Sequence, residues 1–337
     1  MMNFPDKNIF RKESITVEFF YNSTKERFDI DLLNKEVSLD RPIVEQNLHR
    51  PGLALAGFVD LFAYKRVQIC GNTELQYLKK LNAEKRKSSV EKLLSFNIPC
   101  VIFTDYNKPP DDVLKLATEY NIPVFISGLT TTKLVYLVSD FLDDHFAPRL
   151  SVHGSFVDVY GIGMLIAGKS GIGKSEVALD LVERGHRLVA DDVVILTKKG
   201  EGIIMGSGTE LVKHFMEIRG LGILDVRSMF GIRAIRFQKR LEVIIELEVW
   251  DKKSTYTRTG LDNQFSNVMD VDINYIKVPI VPGKNITVIC EVIALNYLLK
   301  HYGYDAAEVL NKRLRDKIDS KSADTNRSVD YFEHDFE

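Results

Sequence analysis

The sequence predicts an α/β fold in two domains, followed by a polar tail. In the first part of the chain, short apolar runs alternate with amphipathic segments, which is the pattern of strands and helices around a small parallel sheet. In the second part, a glycine-rich turn separates an apolar strand-like run from a helix-like segment. A length of 337 residues accommodates two domains. We expect an N-terminal α/β domain at residues 1–132, a C-terminal domain at 133–319 and a polar tail at 320–337.

Apolar runs bounded by proline and turn residues predict the N-terminal strands, and amphipathic spacing predicts the helices between them. Asp111 is placed to cap the helix that it begins, because a carboxylate there accepts bonds from free backbone N–H groups. The predicted strands are Arg66–Cys70, Cys100–Thr104 and Pro123–Ser127, and the predicted helices are Thr73–Leu81, Lys85–Phe96, Asp111–Tyr120 and Thr130–Phe146.

The same criteria predict the elements of the C-terminal domain. Gly185 follows a helix, where a left-handed residue commonly ends the hydrogen-bonding pattern. The predicted strands are Ser151–Tyr160, Met164–Ala167, Arg187–Leu196 and Leu241–Val249, and the predicted helices are Glu176–Arg184, Val288–His301 and Ala306–Lys317.

Composition excludes several classes of protein. The net charge of -2, with no basic run longer than KRK, argues against a nucleic-acid partner. No apolar stretch approaches the roughly 18 residues of a membrane span, and the first residues lack the apolar segment of a secretory signal. The three cysteines are sparse and unpaired, which is typical of reduced, buried thiols. We therefore expect a cytoplasmic protein.

The strongest motif is GKSGIGKS, which matches the phosphate-binding pattern GxxxxGK[ST]. Glycines let consecutive N–H groups converge on phosphate oxygens, and the helix that follows adds positive potential. The lysine of such a loop reaches the β- and γ-phosphates, and the serine hydroxyl ligates Mg²⁺. The motif predicts a site for a nucleoside triphosphate with Mg²⁺. Its residues are Gly168, Lys169, Ser170, Gly171, Ile172, Gly173, Lys174 and Ser175.

Two adjacent carboxylates, Asp191 and Asp192, end the next apolar strand-like run. An aspartate at such a strand end holds Mg²⁺ or its waters, and phosphoryl transfer to a hydroxyl also needs a proton acceptor. Successive side chains of a strand point in opposite directions, so the two carboxylates can divide these tasks. The sequence leaves open which aspartate takes which task.

Four further candidates are weaker, because each has an ordinary structural interpretation. His153 precedes the strand of the loop, and a single histidine is more often structural than catalytic. Glu217 fits either a turn with a salt bridge or a second Mg²⁺ ligand. Arg258 and Lys284 lie beside glycine-containing turns, where they either neutralise phosphate or remain solvated at the surface.

Together these motifs resemble the bifunctional HPr kinase/phosphorylase family. The segments MEIRGLGILD and VPGK, which follow this loop in the sequence, are far more specific than the loop itself. The resemblance is carried by RPGLALAGF (Arg50–Phe58), HGSFVDVYGIGMLIAGKSGIGKSE (His153–Glu176), GHRLVADD (Gly185–Asp192), EIRGLGILDV (Glu217–Val226), YTRTG (Tyr256–Gly260) and PIVPGK (Pro279–Lys284).

The resemblance implies an enzyme that uses ATP and Mg²⁺ to phosphorylate a serine of HPr, the phosphocarrier of the sugar phosphotransferase system. It also implies removal of that phosphate by phosphorolysis, with inorganic phosphate consumed and pyrophosphate released. The C-terminal domain of such enzymes is similar to phosphoenolpyruvate carboxykinase. They assemble as hexamers and regulate carbon metabolism, including carbon catabolite repression.

The resemblance also implies roles for individual residues. His153, Lys174, Asp192 and Arg258 would be catalytic, with Asp192 the base in phosphorylation and the acid in dephosphorylation. Ser175 and Glu217 would ligate Mg²⁺. The stretch implied in both reactions is Met216, Glu217, Ile218, Arg219, Gly220, Leu221, Gly222, Ile223, Leu224 and Asp225. The stretch implied in dephosphorylation is Pro279, Ile280, Val281, Pro282, Gly283 and Lys284.

Two other functions fit the loop without these segments. One is a metabolic kinase or carboxykinase relative that acts on a hydroxylated or keto-acid metabolite. The other is a nucleotide sensor whose N-terminal domain binds a partner. Only the HPr kinase/phosphorylase interpretation accounts for MEIRGLGILD and VPGK together with the loop.

Overall fold

A computed structural model describes residues 9–200, 202–209, 211–250 and 264–323 of the chain. The chain divides into two compact units, one from Phe10 to Arg149 and one that combines Ile9 with the residues from Leu150 onward. Each unit has its own hydrophobic core and combines helices with β-sheet. The predicted two-domain α/β architecture is confirmed.

The first part of the chain contains eight strands and six helices among the described residues. The strands are β1 (Ile9–Phe10), β2 (Ile15–Thr16), β3 (Ile30–Leu32), β4 (Pro42–Ile43), β5 (Leu48–His49), β6 (Val67–Cys70), β7 (Val101–Phe103) and β8 (Val124–Ser127). The helices are α1 (Val17–Thr24), α2 (Gly52–Leu55), α3 (Asn72–Lys80), α4 (Ala83–Leu94), α5 (Asp111–Glu119) and α6 (Thr131–Phe146).

The N-terminal unit is built around a five-stranded sheet in the order β3-β8-β7-β6-β5. Strands β5 to β8 are parallel and β3 is antiparallel at the edge, as the alternation of strands and helices predicts. Strands β6, β7 and β8 are buried over their full length, because helices cover both faces of the sheet. Helix α5 starts at Asp111, and its N-cap residue is Pro110. The Asp111 side chain accepts no hydrogen bond from the backbone at this helix end. The predicted cap is therefore wrong.

Helix α6 is the last helix of the N-terminal unit. Its buried residues Leu134, Val138, Leu142 and Phe146 recur every four residues, which forms one apolar stripe. This stripe packs in the same core as Phe20 and Phe28 of the N-terminal unit. The structure therefore divides the chain after Arg149, whereas the sequence placed the boundary between residues 132 and 133, at the start of this helix.

The second part of the chain contains twelve strands and four helices among the described residues. The strands are β9 (Arg149–His153), β10 (Ser155–Val159), β11 (Ile162–Gly168), β12 (Arg187–Ala190), β13 (Val193–Lys199), β14 (Ile203–Gly208), β15 (Phe215–Ile218), β16 (Gly222–Asp225), β17 (Gln238–Arg240), β18 (Val243–Val249), β19 (Phe265–Val268) and β20 (Val271–Ile280). The helices are α7 (Lys174–Glu183), α8 (Val226–Phe230), α9 (Ile286–His301) and α10 (Ala306–Ala323).

Two predicted strands are each divided in two. The segment 151–160 breaks at Gly154 into β9 and β10, and the segment 187–196 breaks at Asp191 and Asp192 into β12 and β13. In both cases the first and second halves join different sheets. Helix α10 continues to Ala323, so the first residues of the predicted polar tail are helical, and residues 324–337 lie outside the described chain.

The C-terminal unit stacks two larger sheets and a helical layer. One sheet has the order β12-β10-β11-β18-β20-β19, and the other has the order β1-β9-β13-β14-β17. Successive side chains of β10 and β11 point to opposite faces of their sheet. Phe156 and Leu165 therefore pack in the core between the two sheets, and Val157 and Ile166 pack in the core beneath α7 and α9. At the end of α7, the Arg184 guanidinium donates to Glu291 of α9 at 3.0 and 2.7 Å, which joins the two helices.

Three parallel strands end at one edge of the six-stranded sheet. Gly168 at the end of β11 pairs with Leu247 of β18, and Leu247 pairs with Val278 of β20. Ligands of α/β proteins bind beyond the carboxyl ends of parallel strands, so the ends of β11, β18 and β20 mark the edge where a site is expected. Among the described residues, no helix is long and apolar enough to cross a membrane.

Candidate active site

The glycine-rich loop connects β11 to α7 as the motif predicts. Gly168, Gly171 and Gly173 have φ values of 143°, 78° and 100°, where side chains other than glycine are strained. A Cβ atom at Gly168 would lie 2.5 Å from the carbonyl oxygen of Leu247 on the neighbouring strand. Glycine at this position therefore allows both the turn of the loop and the close approach of β18.

Lys174 is the first residue of α7, and only 6% of its surface is exposed. Its ammonium group donates to the carbonyl oxygens of Gly168 at 3.4 Å and Lys169 at 3.3 Å. The loop thus curls around the ammonium group at the positive end of the helix. Both features favour a phosphate bound at this position.

Asp191 lies between β12 and β13 and is 4% exposed. Its Oδ1 atom accepts hydrogen bonds from Ser155 at 2.5 Å and from Ser175 of the loop at 3.1 Å. Burial raises the pKa of the Asp191 carboxyl, and the bonds from the two serines act in the opposite direction. Its Oδ2 atom is buried and has no hydrogen-bond partner among the described residues. Asp191 therefore carries one oxygen that is free to bind a ligand.

Asp192 has the opposite environment, with 59% of its side chain exposed. Its φ of 64° is in the left-handed region, which aspartate tolerates better than most residues. The Nδ1 atom of His153 lies 2.9 Å from the Asp192 carboxylate and 3.0 Å from its backbone oxygen. The amide of Gly154 also donates to that backbone oxygen, at 3.1 Å. His153 and Gly154 thus hold Asp192 in this conformation.

The hairpin of β15 and β16 forms another side of the site. Met216 and Ile218 are buried in the core, so Glu217 between them faces outward. Glu217 and Arg219 both border the glycine-rich loop Gly168–Ser175, which we call the phosphate loop. The Arg219 guanidinium lies 3.5 Å from the Ser170 hydroxyl. A Cβ atom at Gly171 would lie 2.6 Å from an Arg219 nitrogen, so this arginine approaches the loop backbone closely.

These elements surround one cavity of about 240 Å³. Of the residues with a predicted role, the structure brings together His153, Lys174, Ser175, Asp192 and Glu217, with Ser170, Gly171 and Gly173 of the loop. Gly168, Lys169 and Ile172 belong to the same loop but do not line the cavity.

Arg219, which belongs to the stretch implied in both reactions, also lines the cavity. Among the described residues, the other predicted ones do not. Arg258 lies outside the described residues. Pro279 and Ile280 end β20, and Lys284 follows at the same sheet edge as the loop. Strand β18 separates β20 from β11, which places their ends about 10 Å apart. None of the residues from Pro279 to Lys284 lines the cavity.

Sequence analysis missed Ser155 and assigned no individual role to Arg219. Ser155 is fully buried in β10, and a serine in an apolar strand carries no signal of its own. Only the fold brings it to Asp191. The sequence also left the tasks of Asp191 and Asp192 open, whereas the structure places Asp191 at the serine of the loop and Asp192 at His153.

The donor set of this cavity suits Mg²⁺, the ion that the sequence resemblance implies. A hydroxyl and carboxylates are the oxygen ligands that Mg²⁺ takes, and the buried Oδ2 of Asp191 lacks a partner among the described residues. Within those residues, no group of three or more acidic, histidine or cysteine side chains forms a closed metal site.

Comparison with known proteins follows the same two units. A family model described as HPr Serine kinase N terminus matches residues 15–142, and one described as HPr Serine kinase C-terminal domain matches residues 144–314. An HPr kinase/phosphorylase from Chloroherpeton thalassium is 54% identical to the chain, with 100% of both chains covered. One from Prosthecochloris aestuarii is 53% identical, with 95% of both covered.

Among solved structures, the Hpr(Ser) kinase/phosphatase from Coxiella burnetii is 32% identical to the chain. The match covers 48% of this chain and 97% of the other, with a TM-score of 0.43. The family assignment rests on the two family models and on the full-length relatives. The chain belongs to the HPr kinase/phosphorylase family of enzymes.

Proposed function

We propose that this enzyme transfers the terminal phosphoryl group of ATP to a serine of HPr, and that it also removes this group by phosphorolysis. The observation that carries the proposal is the division of the two aspartates. Asp191 is buried against the serine of the phosphate loop, and Asp192 is exposed beside His153 in the same cavity. One carboxylate is thus suited to a metal ion and the other to a proton.

In this proposal, the loop from Gly168 to Ser175 binds the phosphates of ATP. Lys174 and the loop amides supply positive charge, and Arg219 approaches the loop from the hairpin. Ser175, Asp191 and Glu217 are the residues that would hold Mg²⁺. Bound there, Mg²⁺ would neutralise charge on the phosphate oxygens.

Asp192 is proposed to move the proton. In the forward direction its carboxylate accepts the proton of the serine hydroxyl while the serine oxygen bonds to the γ-phosphorus and ADP leaves. In the reverse direction an oxygen of inorganic phosphate bonds to the phosphorus of phosphoserine, and pyrophosphate forms. Protonated Asp192 then gives its proton to the departing serine oxygen. His153 positions Asp192 in both directions.

Several parts of the proposal rest on family resemblance. Arg258 would be a further active-site cation, and residues Pro279–Lys284 would serve dephosphorylation. We also propose a C-terminal domain similar to phosphoenolpyruvate carboxykinase, a cytoplasmic homohexamer and a role in regulating carbon metabolism. The position of Pro279–Lys284 at the sheet edge of the phosphate loop supports their role in handling phosphate.

The test uses the full-length enzyme with HPr, ATP and Mg²⁺, and mass spectrometry follows HPr. We expect HPr to gain one phosphate on a serine. After removal of ATP and addition of excess inorganic phosphate, we expect this phosphate to be lost while pyrophosphate accumulates.

Separate outcomes test the two activities. If HPr never changes mass while ATP is consumed with a hydroxylated or keto-acid metabolite, the metabolic-kinase alternative replaces the proposal. If HPr is phosphorylated and the reverse step releases inorganic phosphate instead of pyrophosphate, the enzyme hydrolyses phosphoserine and the phosphorolysis step is wrong.

A further inference from the structure

The hairpin beside the phosphate loop exposes apolar side chains on its outer surface. Phe215, Leu221 and Ile223 are 41%, 69% and 76% exposed, and we call them the hairpin face. Buried and exposed residues alternate along β15, with Met216 and Ile218 anchored in the core. The hairpin is a two-stranded sheet that packs against the rest of the protein on one side only. Side chains on its other side are therefore exposed.

The strand register places Ile223 of this face beside the cavity. Glu217 of β15 is directly opposite Ile223 of β16. Directly opposed residues of an antiparallel pair point to the same side of the sheet, with Cβ atoms about 5 Å apart. Glu217 lines the phosphate cavity. Ile223 therefore lies next to a residue that lines the cavity.

Arg219 fixes the hairpin at this position. It lies between the two strands of the hairpin, and its guanidinium approaches Ser170 and Gly171 of the loop. The charged side chain of Arg219 thus connects the hairpin that carries the hairpin face to the glycine-rich loop. A protein that inserts a serine into the cavity brings the surface around that serine.

We propose that the hairpin face docks an apolar patch of the protein substrate, next to the serine that is phosphorylated. This inference rests on the proposed function and specifies how its substrate is recognised. Ile223 of the hairpin face is paired with Glu217, which lines the cavity. We therefore assign the face to the protein whose serine enters the cavity. Leu221 and Ile223 act as positioning residues that determine specificity for a protein.

The test compares the variants Leu221→Ser and Ile223→Ser with Ile223→Leu, which keeps the apolar surface. Ile203→Ser is the matched control, since Ile203 is 40% exposed in the same unit. It pairs with Lys199, at the end of β13 about 20 Å from Asp192. Steady-state kinetics would give kcat and KM for HPr at saturating ATP, and KM for ATP at saturating HPr.

We expect each serine variant of the hairpin face to raise KM for HPr by about 5- to 30-fold, which is typical of a truncated interface contact. KM for phospho-HPr should rise equally in the reverse reaction, because both forms present the same surface. KM for ATP should stay within about twofold, because none of the residues of the face lines the cavity. Ile223→Leu and Ile203→Ser should resemble the wild type.

Three results would overturn the inference. One is an unchanged KM for HPr in both serine variants. Another is an equal rise in KM for ATP, which would indicate damage to the whole site. The third is a smaller oligomer in light scattering of the variants, which would show that the face contacts a second copy of the chain. Failure of the wild-type enzyme to phosphorylate HPr would instead refute the proposed function itself.

Discussion

Asp191 and Asp192 are adjacent in the chain, yet their carboxyl groups have different surroundings. Asp191 is buried beneath two serine hydroxyls, and burial raises its pKa. Asp192 is exposed, with its backbone in the left-handed region and His153 on its carboxylate. The break between β12 and β13 falls at this pair, so each aspartate can point to a different partner.

At this residue scale, we expect Asp192→Asn to reduce HPr phosphorylation by about 10²- to 10⁴-fold, since it removes the proposed proton acceptor. Asparagine also tolerates the left-handed region and keeps a similar shape, so the fold and ATP binding should remain. Rapid-quench kinetics would measure the transfer step and calorimetry would measure ATP affinity. A large loss of ATP affinity would contradict this assignment, because it would place Asp192 in nucleotide or metal binding.

We expect Ser155→Val to destabilise the folded protein by about 1–3 kcal/mol, because the buried Asp191 carboxylate loses a hydrogen bond. The raised pKa of Asp191 means that the folded state holds this proton more tightly than the unfolded chain. This group therefore favours the folded state at low pH, and its advantage is lost as the pH rises through the folded-state pKa.

Denaturant unfolding of Ser155→Val at several pH values would check both effects. The deficit relative to the wild type should be largest at neutral pH and should shrink as Asp191 takes up its proton. A deficit that is independent of pH would show that Ser155 contributes packing alone. The conservative variant Ser155→Thr, which keeps a hydroxyl, should recover part of the stability.

The sequence could predict which residues meet at the loop but not how the aspartates divide their tasks. Spacing after the motif identified Asp191 and Asp192, and resemblance identified His153 and Glu217. Ser155 gave no signal, because its partner is 36 residues away in the chain. That contact depends on the pairing of β10 with β12, which local sequence patterns do not encode.

At the scale of elements, the phosphate loop depends on how closely β11 and β18 approach. We expect Gly168→Ala to destabilise the protein by about 2–4 kcal/mol, because its Cβ would meet the Leu247 carbonyl at 2.5 Å and its φ of 143° disfavours alanine. The matched control is Gly185→Ala, since Gly185 also has a positive φ but has open space around the added atom.

For Gly185→Ala we expect a loss of only about 1–2 kcal/mol, from backbone strain alone. Urea unfolding of both variants would measure the difference, and calorimetry with ATP would show whether the loop is displaced. Equal destabilisation of the two variants would contradict the role of close strand approach. Unchanged ATP affinity in Gly168→Ala would show that the loop adjusts without losing its phosphate site.

Helices were easier to predict than strands. Apolar spacing placed α3 to α7 and α9 to within two residues at each end. Two strands predicted as continuous are each divided between sheets, because alternation of apolar residues continues across the break. Asp191 and Asp192 interrupt one of them, and this interruption creates the site. A local pattern cannot show that a strand changes sheets at this turn.

At the scale of the whole molecule, the cavity belongs to a single unit. Its lining residues extend from His153 to Arg219 and all lie in the C-terminal unit. This unit has two cores of its own, one between its sheets and one beneath α7 and α9. Helix α6 closes one of the two cores of the N-terminal unit. The sequence predicted its apolar stripe but not the unit to which the helix belongs. The assignment of α6 to the N-terminal unit depends on its packing with Phe20 and Phe28, which lie over 100 residues earlier in the chain.

Because the site and both cores lie within this unit, we expect the fragment 150–337 to fold and to bind ATP in the presence of Mg²⁺. The fragment loses Ile9 from the sheet edge, which is a small part of the unit. Its dissociation constant for ATP should therefore change by less than about threefold, equivalent to ~0.6 kcal/mol. Calorimetry would compare fragment and full chain, with Lys174→Ala in the fragment as a control that should lose phosphate binding. A fragment that unfolds cooperatively yet fails to bind ATP would show that the N-terminal unit is needed to form the site.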